Sequence, residues 1–204
     1  MLLLCFSLWY LLPVNTKIIF MKKGFTLIEL LVVIAILAVL AVAVVLVLNP
    51  VQLIKQARDS TRISDLATLN SAISFYLADV SSPDLGICTS TNARVSASST
   101  TATSSFVTAV TSSYVNDRDV DSTGWIDINF ATTTGGSPIS RLPIDPVNNG
   151  TNFYGYACDD TNKYYELNAN MESTKYASSG TGDVESTDGG DTESWYEVGN
   201  RLVL

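Results

Sequence analysis

The sequence predicts an α+β protein in which one long N-terminal helix packs on a small antiparallel β-sheet. Three observations predict this class. Residues 30–48 are all apolar, which indicates a membrane-spanning helix. Residues 54–80 repeat apolar side chains every three or four positions, which indicates an amphipathic helix. Residues 83–204 are rich in Ser, Thr, Asn, Asp, Gly and Tyr, with turn signals between short alternating segments, as in β-rich domains.

The composition of the 204-residue chain narrows the function before any motif is considered. The chain has no histidine, which excludes a histidine-dependent catalytic triad and weakens any zinc-site interpretation. Its formal net charge of −8 argues against nucleic acid as a partner. No phosphate-binding glycine loop and no Cys/His pair stands out, so we expect no enzymatic activity and no required cofactor.

The apolar run from Leu30 to Leu48 is long enough to cross a bilayer, because nineteen helical residues rise by about 28 Å. A buried helix of a soluble domain is the alternative. Lys22 and Lys23 precede the run, and by the positive-inside rule this end stays in the cytoplasm. The part after Pro50 is then extracytoplasmic. Three cations on that side oppose this orientation: Lys55, Arg58 and Arg62.

A glycine, a phenylalanine and a glutamate introduce the apolar run, in the order Gly24-Phe25-Thr26-Leu27-Ile28-Glu29. This stretch resembles the processing and methylation motif of type IV prepilins and type II secretion pseudopilins, and the clear likeness covers residues 21–50. The resemblance implies that a prepilin peptidase cuts between Gly24 and Phe25 and that the new N-terminal Phe25 is N-methylated. It also implies a pilin-like fold, in which the long helix is the spine of a globular head.

Glu29 lies at the start of the apolar run, where a carboxylate without a partner is costly. After cleavage, the α-amino group of Phe25 is a cation close to the membrane. We expect Glu29 of one subunit to pair with the Phe25 amine of a neighbour in a filament, which neutralises both charges and fixes the axial register. The alternative is that Glu29 reaches back to the membrane interface.

The leader is expected to occupy residues 1–24. Residues 21–24, Met-Lys-Lys-Gly, make a complete short leader, so we expect translation to start at Met21 and residues 1–20 to be an overshoot of the start codon. A genuine long leader is the alternative. In either case the leader is absent from the mature protein.

Two helical segments follow the leader, a transmembrane one at residues 25–48 and an amphipathic one at residues 49–82. Pro50 removes a backbone hydrogen bond and is expected to kink one continuous helix of about 55 residues. The apolar stripe of the second segment is expected to pack on the sheet. Three charged residues are expected on other faces of this segment: Asp59, Arg62 and Asp65.

The head, residues 83–204, is expected to contain three or four antiparallel strands. Residues 153–158 and 163–168 flank a four-residue turn and predict a β-hairpin. Residues 125–130 alternate apolar and polar side chains, which predicts a half-buried strand, and a last strand is expected within residues 195–204.

The Ser/Thr-rich residues 89–113 are expected to form a solvated surface loop, because such low complexity rarely packs. Phe106, Val107 and Val110 are expected to form a short packed element within it. In pilins the corresponding segment is a variable loop, sometimes O-glycosylated.

Cys88 and Cys158 are the two cysteines of the expected mature chain, and exported cysteines in pairs often form a disulfide. The alternative is a pair of buried thiols. Residues 117–121 contain three aspartates but fail the EF-hand spacing. A calcium site in the late acidic loop is a second possibility that major pseudopilins suggest, with Asp183, Asp188 and Asp191 as ligands. A solvated loop is its alternative.

These features together favour a structural function. The resemblance implies a pilin or pseudopilin that is stored in the inner membrane and assembles with copies of itself at an inner-membrane platform. The Pro-x-Asp-Pro segment at residues 143–146 and the late acidic loop favour a secretion pseudopilus, whereas the Ser/Thr-rich loop favours a surface pilus. A single-span anchored binding module that does not polymerise is the alternative. An exported enzyme would need catalytic residues that the sequence does not offer.

Overall fold

The computed structural model describes residues 24–88, 92–97, 106, 111–114 and 117–204. These residues form two α-helices, five strands and one 3₁₀-helix. In chain order they are α1 (Leu27–Leu48), α2 (Pro50–Asp79), β1 (Asn92–Val95), β2 (Thr111–Tyr114), the 3₁₀-helix Phe130–Thr132, β3 (Tyr154–Asp159), β4 (Tyr164–Ala169) and β5 (Tyr196–Gly199). The chain divides into two compact units, residues 1–47 and 48–204, which are described separately. Residues 1–23 of the expected leader lie outside the described residues.

The first unit is built on α1. Leu, Ile, Val and Ala fill this helix, and its stretch Leu27–Val45 is long and apolar enough to cross a membrane. None of that stretch is buried by the rest of the chain. Its large apolar side chains are therefore available to hydrocarbon or to other protein surfaces.

The two helices are separated at Asn49, where the sequence predicts one kinked helix. Asn49 has φ 41° and ψ 75°, a left-handed conformation that asparagine tolerates better than most residues. Its carbonyl accepts hydrogen bonds from the N–H of Gln52 and of Leu53, at 2.9 and 3.3 Å. Pro50 then occupies the first helical position, where its missing N–H costs nothing. The expectation of a proline kink inside a continuous helix is corrected to a proline that starts a second helix.

The core of the second unit lies between α2 and one face of the sheet. Leu66, Leu69, Ile73 and Tyr76 of α2 are buried, as the apolar stripe predicts. They belong to a single cluster with sheet residues Tyr154, Tyr156, Tyr165, Leu167 and Ala169. The stripe is not covered along its whole length, because Ile54 near the start of α2 remains about half exposed.

The strands form one sheet in the order β2-β1-β3-β4-β5. Neighbours among β1, β3, β4 and β5 are antiparallel, and β2 joins at the edge by parallel pairing with β1. The α+β class and the antiparallel pairing of four strands are therefore confirmed, whereas the parallel edge strand β2 is a fifth strand beyond the three or four expected. The β3–β4 hairpin is also confirmed, with a register that runs from Tyr154 opposite Ala169 to Asp159 opposite Tyr164. Its turn is stabilised by the Asp159 carboxylate, which accepts hydrogen bonds from the N–H of Thr161 and Asn162.

Two elements differ from the expectation for residues 89–113. Strands β1 and β2 start or lie within this segment, so it is not entirely a surface loop. Phe106 is buried beside Ala93 and Ala157, which agrees with a packed element at that position. Val107 and Val110, the other members of that element, lie outside the described residues.

Residues 125–130 do not form the predicted strand. Ile126, Ile128 and Phe130 are buried, as the alternation predicts, but the segment makes a single isolated bridge, from Asn129 to Asp121. Its backbone is satisfied by a neighbouring loop, since the N–H of Trp125 donates to the Asp117 carbonyl at 2.9 Å and that of Phe130 to the Val120 carbonyl at 2.8 Å. The alternation of apolar and polar residues therefore indicates an extended segment that packs on the core but does not pair with the sheet.

The structure joins Cys88, which follows α2, to Cys158 in β3 by a disulfide with a Cα–Cα separation of 4.8 Å. The two residues are 70 positions apart in sequence. Closing so long a loop restricts the unfolded chain, and the chain-entropy account gives about 4 kcal/mol of stabilisation.

We expect the Cys88→Ser/Cys158→Ser double variant to unfold with about 4 kcal/mol less free energy than the oxidised wild type. Urea denaturation of the full chain in detergent micelles, followed by tryptophan fluorescence, measures this difference. Wild type in a reducing agent is the matched control and should unfold like the double variant. An unchanged midpoint in both would contradict a stabilising bridge.

Candidate functional site

The N-terminal end of α1 is closed by a reciprocal pair of side chains, Thr26 and Glu29. The Glu29 carboxylate accepts hydrogen bonds from the backbone N–H and from the hydroxyl of Thr26, both at 2.8 Å. The Thr26 hydroxyl oxygen in turn accepts the N–H of Glu29 at 3.3 Å. This is a capping box, and it satisfies donors that the first turn of a helix leaves free. The Thr-x-x-Glu spacing signals it, although the sequence prediction gave Glu29 no partner within its own chain.

The capping box gives Glu29 a hydrogen-bonded position before any second subunit arrives. The same carboxylate also borders a shallow apolar groove on α1, which is lined by Phe25, Ile28, Glu29, Val32 and Val33. Phe25 itself is 86% exposed. A partner that enters this groove would therefore meet an acidic group at the edge of an apolar surface.

Gly24 is exposed, and its identity is not required by contacts with the residues that the structure describes. A Cβ atom built on Gly24 would meet nothing within 4 Å, and its φ is not in the left-handed region. By contrast, a Cβ on Gly86 would collide with Asp127. A glycine that packing does not require is consistent with a residue that another protein recognises.

A buried ion network holds the second unit together. Arg62 is fully buried, and its guanidinium donates to Asp145 at 2.6 and 3.0 Å, to Asp59 at 2.7 Å and to Glu172 at 2.9 Å. Asp59 is buried as well. The expectation that Asp59 and Arg62 lie on faces of the helix other than the buried stripe is wrong for both residues.

The carboxylates of this network also bind backbone N–H groups of two loops. Asp59 accepts from Glu172 at 3.0 Å and from Ser173 at 2.8 Å. Asp145, within the Pro-x-Asp-Pro segment, accepts from Val147 at 2.7 Å and from Asn148 at 3.1 Å. The network therefore fixes two loops on α2, and the Pro-x-Asp-Pro aspartate has a structural role here.

The charge on Arg62 is retained despite its burial. Burial alone would lower the pKa of the guanidinium. The hydrogen bonds that it donates to Asp145 and the charge of Asp145, followed by the hydrogen bonds that it donates to Asp59 and Glu172, raise that pKa above its usual value. Arg58, one turn earlier, pairs with both oxygens of Glu172 at 3.0 Å and is partly exposed.

Two buried glutamates occupy the sheet face opposite the main core. Glu166 in β4 and Glu197 in β5 are almost fully buried, beside the buried Asn168. Glu166 accepts the N–H of Leu204 at 3.0 Å, and Glu197 accepts that of Thr192 at 3.2 Å. Among the buried side chains that the structure describes, the second oxygen of Glu197 has no hydrogen-bond partner.

This environment favours the protonated form of both glutamates. Burial, and then the charge of Glu197, raises the pKa of Glu166 from 4.5 to about 8. Burial likewise raises the pKa of Glu197. These carboxylates lie on neighbouring strands, and none of the described cations forms an ion pair with either of them, so they are compatible with the fold when they retain at least one proton.

We expect the stability of the second unit to fall as the pH rises. A pKa that is higher in the folded state means that the folded chain binds the proton more tightly, so the stabilisation is complete below pH 4.5 and is lost as the pH rises through about 8. In the Glu166→Gln variant, a neutral amide with the shape of the protonated carboxyl group replaces Glu166 and does not titrate. The variant's free energy of unfolding should therefore lose about 2–4 kcal/mol less than that of wild type over this interval. Urea titrations of both chains at a series of pH values measure the difference, and parallel pH profiles would contradict it.

The aspartates proposed as calcium ligands are used by the fold as turn-forming acceptors. Asp183 accepts the N–H of Ser179, Glu185 and Ser186 at 2.7–3.0 Å. Asp188 accepts the N–H of Gly190 at 2.9 Å and of Glu197 at 2.6 Å. Within the described ranges, no group of three or more carboxylate, cysteine or histidine side chains is placed to hold a metal ion. The structure does not bring Asp183, Asp188 and Asp191 together as a ligand set.

Comparison with known proteins identifies the N-terminal region. Residues 19–45 match the family described as the prokaryotic N-terminal methylation motif, which is the prepilin motif of type IV pilins and pseudopilins. The match covers Gly24, Phe25 and Glu29 and most of α1. No curated protein matches the chain, and no solved structure matches it either. The chain thus carries the prepilin motif on an apolar helix, and its long helix and small sheet are consistent with an α+β pilin-like fold.

Proposed function

We propose that the chain is the precursor of a filament subunit, a pilin or pseudopilin, that a prepilin peptidase processes and that assembles from the inner membrane. One observation carries the proposal: the methylation motif is in register with an apolar helix whose side chains the rest of the chain leaves uncovered. The function is structural.

Processing at this site needs an accessible bond and a recognised residue. Gly24 and Phe25 are both exposed, and Gly24 is not required by packing. Cleavage between them removes residues 1–24 and creates an α-amino group on Phe25, which becomes N-methylated. The residue that carries the new amine directly precedes Thr26 and is four positions before Glu29.

Assembly follows from the exposed surface of α1. In the bilayer this surface lies among lipid chains, and in a filament it lies against the helices of other copies. Once outside the bilayer, helix–helix contacts would be favoured by roughly 25 cal/mol per Å² of buried apolar surface. The Glu29 carboxylate would then exchange its Thr26 donors for the Phe25 amine of a neighbouring subunit, which fixes the axial register.

The orientation proposed for the chain places the second unit outside the cytoplasm. Two of the cations that follow the membrane span belong to the folded head, because Arg62 is enclosed by carboxylates and Arg58 pairs with Glu172. These two cations therefore belong to the folded head and do not act as free flanking charges of the membrane span. Lys22 and Lys23 remain as the flanking charges that favour a cytoplasmic N-terminus.

Intact-mass and N-terminal analysis of the chain from native membranes tests this function. We expect a mature chain that begins at N-methylated Phe25. The Gly24→Val variant should remain uncleaved, whereas Gly135→Val should be processed normally, since a Cβ on either glycine meets nothing within 4 Å. A wild-type chain that keeps its leader in a host with active prepilin peptidase would instead favour a single-span anchored module that does not polymerise.

A further inference from the structure

A tight turn at residues 149–152 carries the sequence Asn-Gly-Thr-Asn, in which Asn149 and Thr151 are exposed. The N–H of Asn149 donates to the Asn152 carbonyl at 2.9 Å, which closes the turn. The side-chain oxygen of Asn149 accepts the N–H of Thr151 at 2.9 Å and of Asn152 at 2.8 Å. The Asn149 side chain is therefore exposed and held by its own turn.

The residue after Asn149 is well suited to attack this side chain. Gly150 has no Cβ to obstruct the approach of its backbone nitrogen to the side-chain carbon of Asn149. Within the described part of the chain, the N–H of Gly150 has no hydrogen-bond acceptor, so no other group holds its proton. The two N–H groups on the Asn149 oxygen are placed where negative charge develops during such an attack.

We propose that Asn149 is a self-modification site, which deamidates through a cyclic imide formed with Gly150. Base removes the Gly150 N–H proton, and the nitrogen forms a bond to the Asn149 side-chain carbon. The Cγ–Nδ2 bond then breaks, and Nδ2 takes up a proton and leaves as ammonia. Water then adds to one carbonyl of the five-membered imide, and the bond from that carbonyl to the Gly150 nitrogen breaks as the nitrogen regains its proton. Attack at Cγ yields aspartate at position 149, and attack at the main-chain carbonyl yields isoaspartate.

The chain contains an internal comparison at Asn129. Its side-chain oxygen accepts the N–H of Ala131 at 3.1 Å, an arrangement similar to that of Asn149. The following residue is Phe130, whose side chain is bulky and whose N–H donates to the Val120 carbonyl at 2.8 Å. Asn129 thus has the polarised amide but lacks the free nucleophile.

The two products differ in their effect on the turn. Aspartate keeps a side-chain oxygen for the N–H of Thr151 and Asn152, and it adds one negative charge to an exposed surface. Isoaspartate routes the main chain through the former side chain, which lengthens the backbone and removes the spacing that closes the turn. The modification therefore alters the surface just before β3, whereas the base of the loop remains tied to Asp145.

Peptide mapping by mass spectrometry tests the proposal on the full chain in detergent micelles, incubated in mildly alkaline buffer. Asn149 should convert to aspartate and isoaspartate at least about tenfold faster than Asn129, and Gly150→Ala should slow the conversion by about tenfold. The Asn149→Asp variant supplies the mass and retention standard for one product. The wild-type comparison between two asparagines does not depend on the folding of any variant.

Three results would overturn the proposal. One is conversion of Asn129 or any other asparagine of the chain before Asn149. Another is a Gly150→Ala chain that reacts as fast as wild type. The third is a glycan on Nδ2 of Asn149 in protein from native membranes, because Asn149-Gly150-Thr151 is also an N-glycosylation acceptor sequence and a substituted amide does not leave as ammonia.

Discussion

The Arg62→Met variant is expected to lose about 3–5 kcal/mol of unfolding free energy relative to wild type. Methionine fills the space of the arginine stem and ends short of the guanidinium, so the loss comes mainly from the charge and the hydrogen bonds. Removing the guanidinium leaves the buried carboxylates of Asp59 and Asp145 without their cation. Buried charges without partners are among the few defects with effects this large.

Arg58→Met is the matched control, because Arg58 is on the same helix one turn earlier and also pairs with Glu172. Its side chain is 36% exposed, so solvent screens the pair and we expect a loss of at most about 1 kcal/mol. Urea denaturation monitored by the buried Trp125 measures both variants in micelles. Equal losses in the two variants would contradict the view that the Arg62 network dominates this region.

A second variant separates lost charge pairing from lost packing. Arg62→Met combined with Asp59→Asn and Asp145→Asn removes all three charges while keeping the volumes similar. Neutral amides without a cation are less costly to bury than carboxylates. We therefore expect the triple variant to be more stable than Arg62→Met alone, and a further loss of stability would show that Asp59 and Asp145 act mainly through the loop N–H groups.

The burial of Asp59 and Arg62 is predictable from the phase of the helix. Positions 59, 62, 66, 69, 73 and 76 follow one another at spacings of three and four, so the two charged residues continue the buried stripe of Leu66, Leu69, Ile73 and Tyr76. The charge of these two residues predicts an exposed face, whereas their position in the helical repeat predicts a buried one. The position in the repeat gives the correct answer. The partner Asp145 is not predictable, because it is 83 residues away and reaches Arg62 through tertiary packing.

The sheet shows the same division between local and non-local information. The β3–β4 hairpin is predictable because its turn and both strands are adjacent in sequence. Strand β2 pairs with β1 across a segment whose composition suggests a loop, and no local signal reports that pairing. For residues 125–130 the alternation predicts the burial correctly, but burial does not determine which backbone groups pair.

The N-terminal site is largely predictable, because its motif is contiguous. Gly24, Phe25 and Glu29 stand out in the sequence, and the matching family covers all three. The role of Thr26 is not part of that prediction, because the resemblance implies that Glu29 pairs with the Phe25 amine of another subunit. Glu29 already has two hydrogen-bond donors in the single chain, both from Thr26. A neighbouring amine would therefore have to replace these donors.

The Glu29→Ala variant is expected to be cleaved at Gly24 like wild type but to yield at least about tenfold less assembled filament. Cleavage should persist because the scissile bond lies four residues before Glu29, outside α1, and Gly24 remains exposed. Assembly should fail because the Phe25 amine of a neighbouring subunit would enter apolar surroundings without a carboxylate to pair with. Immunoblotting of the precursor and mature forms in membranes, together with sheared filament yield, measures the two steps separately.

Thr26→Val distinguishes a role for Glu29 within its own chain from a role between subunits. This change removes the Thr26 hydroxyl, which donates to Glu29 at 2.8 Å, and leaves the backbone N–H and the side-chain shape in place. If Glu29 acts through the neighbouring amine, Thr26→Val should retain most of the filament yield that Glu29→Ala loses. If both variants assemble equally poorly, the capping box rather than the intersubunit pair is what assembly requires. Normal filament yield from Glu29→Ala would leave neither role, because then the carboxylate at the start of α1 is dispensable for assembly.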